Sequence, residues 1–170
     1  MDAITEFIGS SIFWQILLFV HFMMAVTLLA AVTLHTAATL MPLPQPAGNL
    51  AGSFVGRIRS APSQWYVFAI VILYVPTFLL GAWVYVKYRT YVRIPMEQIA
   101  HWKTVGTFEF KEHIVSMGLA LLPAYWYFWR QPLVPEHANM RKWVTLFLAV
   151  SVWYAFLVGH TANDFRGVGS

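Results

Sequence analysis

Residues 19–40 read FVHFMMAVTLLAAVTLHTAATL, and this stretch decides the fold. It carries no Asp, Glu, Lys or Arg, and a membrane-crossing helix needs about 20 such residues in succession. Two histidines, His21 and His35, interrupt it. An imidazole in hydrocarbon is costly enough to stand as a functional signal until it is explained. Fourteen steps at about 100° each leave the two rings about 40° apart around the helix and roughly 21 Å apart along it. Two metal-sized groups could stack on that face, at two depths of a membrane.

The rest of the chain agrees with a lipid environment. Of 170 residues, 59% are hydrophobic and only 11% charged, against about a quarter charged in a soluble domain. The net charge of +4 is small and scattered, so nucleic acid is not an expected partner. Basic residues gather at the ends of apolar runs, where membrane proteins place them. There is no cysteine, which excludes disulfides, iron–sulfur ligation, thiolate metal sites and covalently attached c-type haem. Six histidines are the nitrogen ligands on offer. The first ten residues, MDAITEFIGS, carry acids and no Lys or Arg, so the first apolar run reads as a retained helix and not a cleaved signal.

Four segments qualify as spans: residues 11–40, 64–88, 112–129 and 142–160. The first ends at Pro42, Pro44 and Pro46, which stop a helix and stiffen the chain beyond it. Pro76 and Pro123 lie inside the second and third spans. They free the carbonyls of Ile72 and Leu119 for a neighbouring helix, water or a ligand. Trp65 and Tyr66 open the second span, Trp83, Tyr85, Tyr88 and Tyr91 close it, and Tyr125, Trp126, Tyr127 and Trp129 close the third. These are interfacial anchors. The expectation is an all-α polytopic membrane protein, one domain over residues 1–170, folded as a four-transmembrane-helix up-down bundle with both termini on one side. That side carries Lys87, Arg89, Arg93, Lys103, Lys111 and Arg166, against Arg57, Arg59, Arg130, Arg141 and Lys142 opposite. The excess points to termini in the cytoplasm, in a bacterial inner membrane.

An up-down bundle sorts the histidines by depth. His113 at the start of the third span and His160 at the end of the fourth both lie on the terminus side, roughly 12 Å from mid-membrane by helical rise. His21 is on the same side and deeper, while His35 is near the far end. His101 and His137 lie in loops. A bis-histidine haem takes two imidazoles from different helices at similar depth. On level alone His113 with His160 is the favoured pair, with His21 as the alternate ligand. The bland reading of histidines near helix ends is interfacial snorkelling.

The sequence around His113, Glu109-Phe110-Lys111-Glu112-His113, is the polar edge of the bundle. With His101, His160 and Asp164 it suits copper, zinc or iron. It equally suits a quinone head or haem-propionate pocket, with Lys111 or Arg166 pairing an anion; the favoured reading is the plainer one, an ordinary charged helix N-terminus whose acids suit the macrodipole. Asp164, four residues after His160, is placed to accept a hydrogen bond from that ring, as outer carboxylates do for ligating histidines.

The fourteen-residue histidine step resembles the ligand pairs in cytochrome b of quinol:cytochrome c reductases, where one helix serves two stacked haems. There a second helix carries a matching pair. Here the position fourteen before His160 is Leu146, and the one fourteen after His113 is Tyr127. His35 thus has no partner unless His137 folds back, and one haem is the better expectation. In architecture the chain is similar to small four-helix membrane b-type cytochromes, which serve as anchor or electron-entry subunits of respiratory complexes. The resemblance implies haem b, contact with quinone and with other membrane-protein subunits, and no bond chemistry by the chain alone. The competing expectations are a cofactor-free accessory subunit and a copper- or zinc-binding membrane protein.

Overall fold

The computed structural model describes residues 10–41, 56 and 61–167, with side chains as far as Thr161. It is all-helical. Helix α1 spans Ser11–Leu40 and α2 Ser63–Tyr88, which runs on through a π-helical turn at Arg89–Arg93 into the short α3, Ile94–Gln98. Helix α4 spans Trp102–Arg130, and a 3₁₀ turn at Pro135–His137 leads into α5, Ala138–Gly167. Three stretches are long and apolar enough to cross a membrane: Ser11–Leu40, Ser63–Gln98 and Pro135–Thr161. The α4 helix, with Lys103, Glu109, Lys111 and Glu112 in its first three turns, is not among them. The proline-rich connection after α1 lies outside the described residues.

Local chemistry explains the boundaries. Ser10 caps α1, its Oγ accepting from the Phe13 amide at 3.2 Å, which satisfies one of the donors a helix start leaves open. Between α3 and α4 the chain turns on Ala100, at φ 58°. The His101 amide donates to the Met96 carbonyl at 2.9 Å and the Ala100 amide to Glu97 at 3.1 Å. This is a Schellman ending, with alanine where glycine is usual. The α4 start therefore falls ten residues before the boundary expected at 112, because Val105 and Phe108 carry the buried stripe of α4 back through its charged segment. Arg141 closes the α4–α5 connection, its Nη1 donating to the carbonyls of Gln131 at 2.9 Å and Val134 at 3.0 Å.

The helices pack in the cyclic order α1, α2, α4, α5, so α1 stands diagonally from α4. In the half of the bundle away from the termini the interior is filled by Leu28 and Val32 of α1, Ile70 and Tyr74 of α2, Leu122, Tyr125 and Trp129 of α4, and Leu148 and Val152 of α5. Gly118 makes room for Tyr74, whose hydroxyl donates to the Val115 carbonyl at 3.0 Å. The outer surface is apolar, with Ile12, Ile16, Phe19, Phe68, Ile72, Leu79, Val150 and Leu157 exposed. A soluble protein rarely presents so large an apolar surface; here it faces lipid.

Candidate functional site

The terminus-side half of the bundle is open where the other half is filled. A cavity of about 570 Å³ runs between α1, α2, α4 and α5, within the roughly 300–1,000 Å³ usual for cofactor and ligand sites. On α1 it extends from Trp14 to Leu28, about 21 Å by helical rise.

Two histidines line it, His21 and His160. His21 shares the inward stripe of α1 with Leu17, Leu28 and His35, as the spacing of 4, 7 and 14 residues requires. Its ring lies against Gly81 of α2: a Cβ there would stand 3.0 Å from the His21 Cε1. Nδ1 of His21 is buried without a hydrogen-bond partner. The same is true of Nε2 of His35 in the filled half; what sets His21 apart is that its ring lines the cavity. His160 is exposed near the solvent-side end of α5 and lines the mouth of the cavity; its ring is stacked on Phe156 at 6.3 Å and 8°, and Phe156 in turn meets Phe22 of α1 at 6.1 Å. Gly159 also lines the cavity, and a Cβ there would meet nothing within 4 Å.

The other candidate residues are not brought to this site. His113 is exposed, and its Nδ1 donates to the Glu109 carbonyl at 2.7 Å; it does not line the cavity. His35 belongs to the filled half. It is wholly buried, Nδ1 is 2.7 Å from the Tyr125 hydroxyl, and its ring is packed by Tyr66 and Trp129. His137 does not fold back to His35; its ring lies on Tyr127 and Phe128. His101 is exposed at the start of α4. Asp164 and the side chain of Arg166 lie outside the described side chains. Among the described residues no three or more His, Cys, Asp or Glu groups gather closely enough to hold a metal ion. The described members of the metal set considered around Glu109 and His113 therefore do not form such a group by themselves. Glu109 instead accepts from Tyr85 at 2.9 Å and pairs with Arg93 at 3.2 Å, while Arg93 also pairs with Glu97 at 2.7 Å. That network ties the π turn to α4.

Lys111 and Glu112 do reach the cavity, paired to each other at 2.6 Å. Tyr88, Lys87 and Gly81 also line it, and sequence reasoning does not find them. The aromatic belt at the interface hides Tyr88, and a lone helical glycine gives no signal until its neighbour is known.

No protein-family model, curated protein or solved structure matches the chain.

Proposed function

We propose that this chain is an integral membrane electron-transfer subunit that binds one b-type haem, with His21 and His160 as the axial ligands. The observation that carries the reading is the cavity in the terminus-side half, lined by two histidines from neighbouring helices, with Gly81 making room for the His21 ring. The residues fit the group. Two imidazoles suffice for haem iron, where a bare metal ion would want a third or fourth protein ligand. A haem held there would supply one-electron chemistry at a potential set by its ligands and surroundings.

In this reading the chain passes electrons between partner subunits or quinone, and α4 forms the fourth span. At 29 residues it is long enough, about 44 Å. Its charges near the boundary are paired, Glu109 with Arg93 and Lys111 with Glu112. The termini would lie in the cytoplasm of a bacterial inner membrane. A cofactor-free accessory subunit is the second reading, favoured by His35 and His113, which are both hydrogen-bonded within the protein.

The absorption spectrum of the purified protein separates the two. A reduced b-type α-band should be present, should vanish in His21→Ala and in His160→Ala, and should survive in His113→Ala. A folded, haem-free protein after expression with ample haem would overturn the leading reading. Loss of the band in His113→Ala and His160→Ala, with survival in His21→Ala, would restore the pair favoured by depth.

A further inference from the structure

The two histidines of the cavity are held unequally. His21 lies ten residues into α1, about 15 Å along the helix from Ser11. It is partly buried, with Nδ1 out of contact with water. Its ring rests against Gly81 of α2, so close that a Cβ there would stand 3.0 Å from Cε1. Leu17 and Leu28 fix the stripe of α1 on which it stands. To leave the cavity, this imidazole must turn into lipid or against the backbone of α2. A polar ring moved into hydrocarbon without a partner is costly, so the surroundings of His21 hold it on any ligand it binds.

His160 is placed differently. It is exposed at the mouth of the cavity, and its ring stacks on Phe156, one turn back on its own helix. Gly159 beside it also lines the cavity, with no atom within 4 Å of where a Cβ would stand. An imidazole at this position that lets go of a ligand rotates into water, which satisfies both its donor and its acceptor nitrogen. The space it vacates lies at the mouth, where a small molecule enters. One histidine is enclosed by protein and lipid, and the other exchanges its bond for solvent.

We infer that the site carries one fixed axial ligand, His21, and one exchangeable ligand, His160, and that the His160 face of the iron takes a neutral diatomic molecule such as carbon monoxide or nitric oxide. This rests on the haem reading and adds a binding activity to electron transfer. In the exchange the bond from iron to the His160 imidazole breaks and one to the diatomic forms. No electron is transferred, and the imidazole leaves neutral. A displaced state populated at about 1–10% lies within the usual range of minor conformers. The apparent affinity for the diatomic falls by that same fraction, so His160 sets how readily the site responds.

The test is carbon monoxide binding to the reduced, haem-loaded full chain in detergent, followed by the Soret band, with haem counted per folded protein. The native protein should bind the gas at a rate that levels off as its concentration rises, because release of His160 becomes limiting. His160→Ala should lose the sharp α-band, keep its haem, and bind carbon monoxide at least about tenfold more tightly, with no plateau in rate. His21→Ala should lose its haem. A native band unmoved by saturating carbon monoxide would overturn the inference, and so would His160→Ala protein as poor in haem as His21→Ala. In either case a native α-band that depends on both histidines leaves the haem reading standing. A native chain that takes up no haem removes that reading, and the exchangeable ligand with it.

Discussion

His35 of α1 and Tyr125 of α4 meet across the diagonal of the bundle, imidazole Nδ1 to phenol oxygen at 2.7 Å, and neither side chain is exposed at all. The helices that carry them are not neighbours in the packing order, so this hydrogen bond pins the bundle through its centre. Tyr66 stacks on the imidazole at 5.6 Å and Trp129 approaches it at 4.5 Å, while Trp129 donates its indole N–H to Thr145 Oγ1 at 3.0 Å. Nδ1 of the second histidine of the fourteen-residue step is thus engaged by the protein's own groups, while its Nε2 is buried among aromatic rings without a hydrogen-bond partner. The first opens into a cavity. One helix face carries two imidazoles in two different settings.

Tyr125→Phe should destabilise the protein by about 1–3 kcal/mol, because it leaves a buried ring nitrogen without its partner. His35→Leu in the same background should cost little more, since the partner that was orphaned is then gone. A double-mutant cycle read by thermal unfolding in detergent measures the coupling. Additive effects of the two substitutions would show that the pair contributes nothing beyond packing.

Gly118 offers a second check on the filled half. A Cβ at this position would collide with the Tyr74 hydroxyl and stand 3.0 Å from its Cζ. Alanine is ordinarily better than glycine in a helix by about 1 kcal/mol, yet Gly118→Ala should lower stability by about 1–3 kcal/mol through overpacking. Tyr74→Phe should relieve part of the loss. Gly106, on the same helix with nothing near its missing side chain, is the control: Gly106→Ala should be neutral or stabilising in the same unfolding assay.

Much of this architecture is legible in the sequence because lipid leaves few alternatives. The bounds of α1 are marked by the serine cap and the first proline. The α4 start is not marked, because Glu109, Lys111 and Glu112 look like a membrane boundary when charge alone is considered. The preference for His21 over His113 is hidden for a related reason: helical depth can be counted from the ends of a span, whereas the direction of a side chain needs the buried stripe. His113 is five residues from both Phe108 and Gly118, which line the buried stripe of α4; five steps turn about 140°, so His113 points outward. His21, four residues after Leu17 and seven before Leu28, turns only about 20–40° from its buried neighbours. The pairing of His35 with Tyr125 is beyond reach of the sequence, since it joins residues 90 apart.

The α3–α4 turn predicts a gain. Ala100 adopts a left-handed backbone at φ 58°, a conformation that costs an alanine about 1 kcal/mol and glycine almost nothing. Ala100→Gly should therefore stabilise the protein by a few tenths to about 1 kcal/mol, the added freedom of the unfolded glycine offsetting part of the gain. Thermal unfolding checks the sign. A loss would mean that the turn is held by the alanine side chain and not by its Schellman hydrogen bonds.

Gly81 tests the role of His21 directly. Its missing side chain is what lets the His21 ring lie flush on α2: a methyl group there would stand 3.0 Å from Cε1 and 3.7 Å from Nε2, the nearer of the two tighter than ordinary van der Waals contact. Gly81→Ala should push the imidazole by a few tenths of an ångström and retain haem with weakened binding. Gly81→Val, with two further methyl groups in the same gap, should turn the ring out of the cavity and abolish most haem binding. Neither substitution should unfold the bundle, because Gly81 faces the open half and the filled core around Tyr74 and Tyr125 is untouched. Haem content per folded protein, with helicity measured on the same samples, is the readout. Full haem occupancy in folded Gly81→Val protein would detach His21 from the iron, whatever the other histidines do.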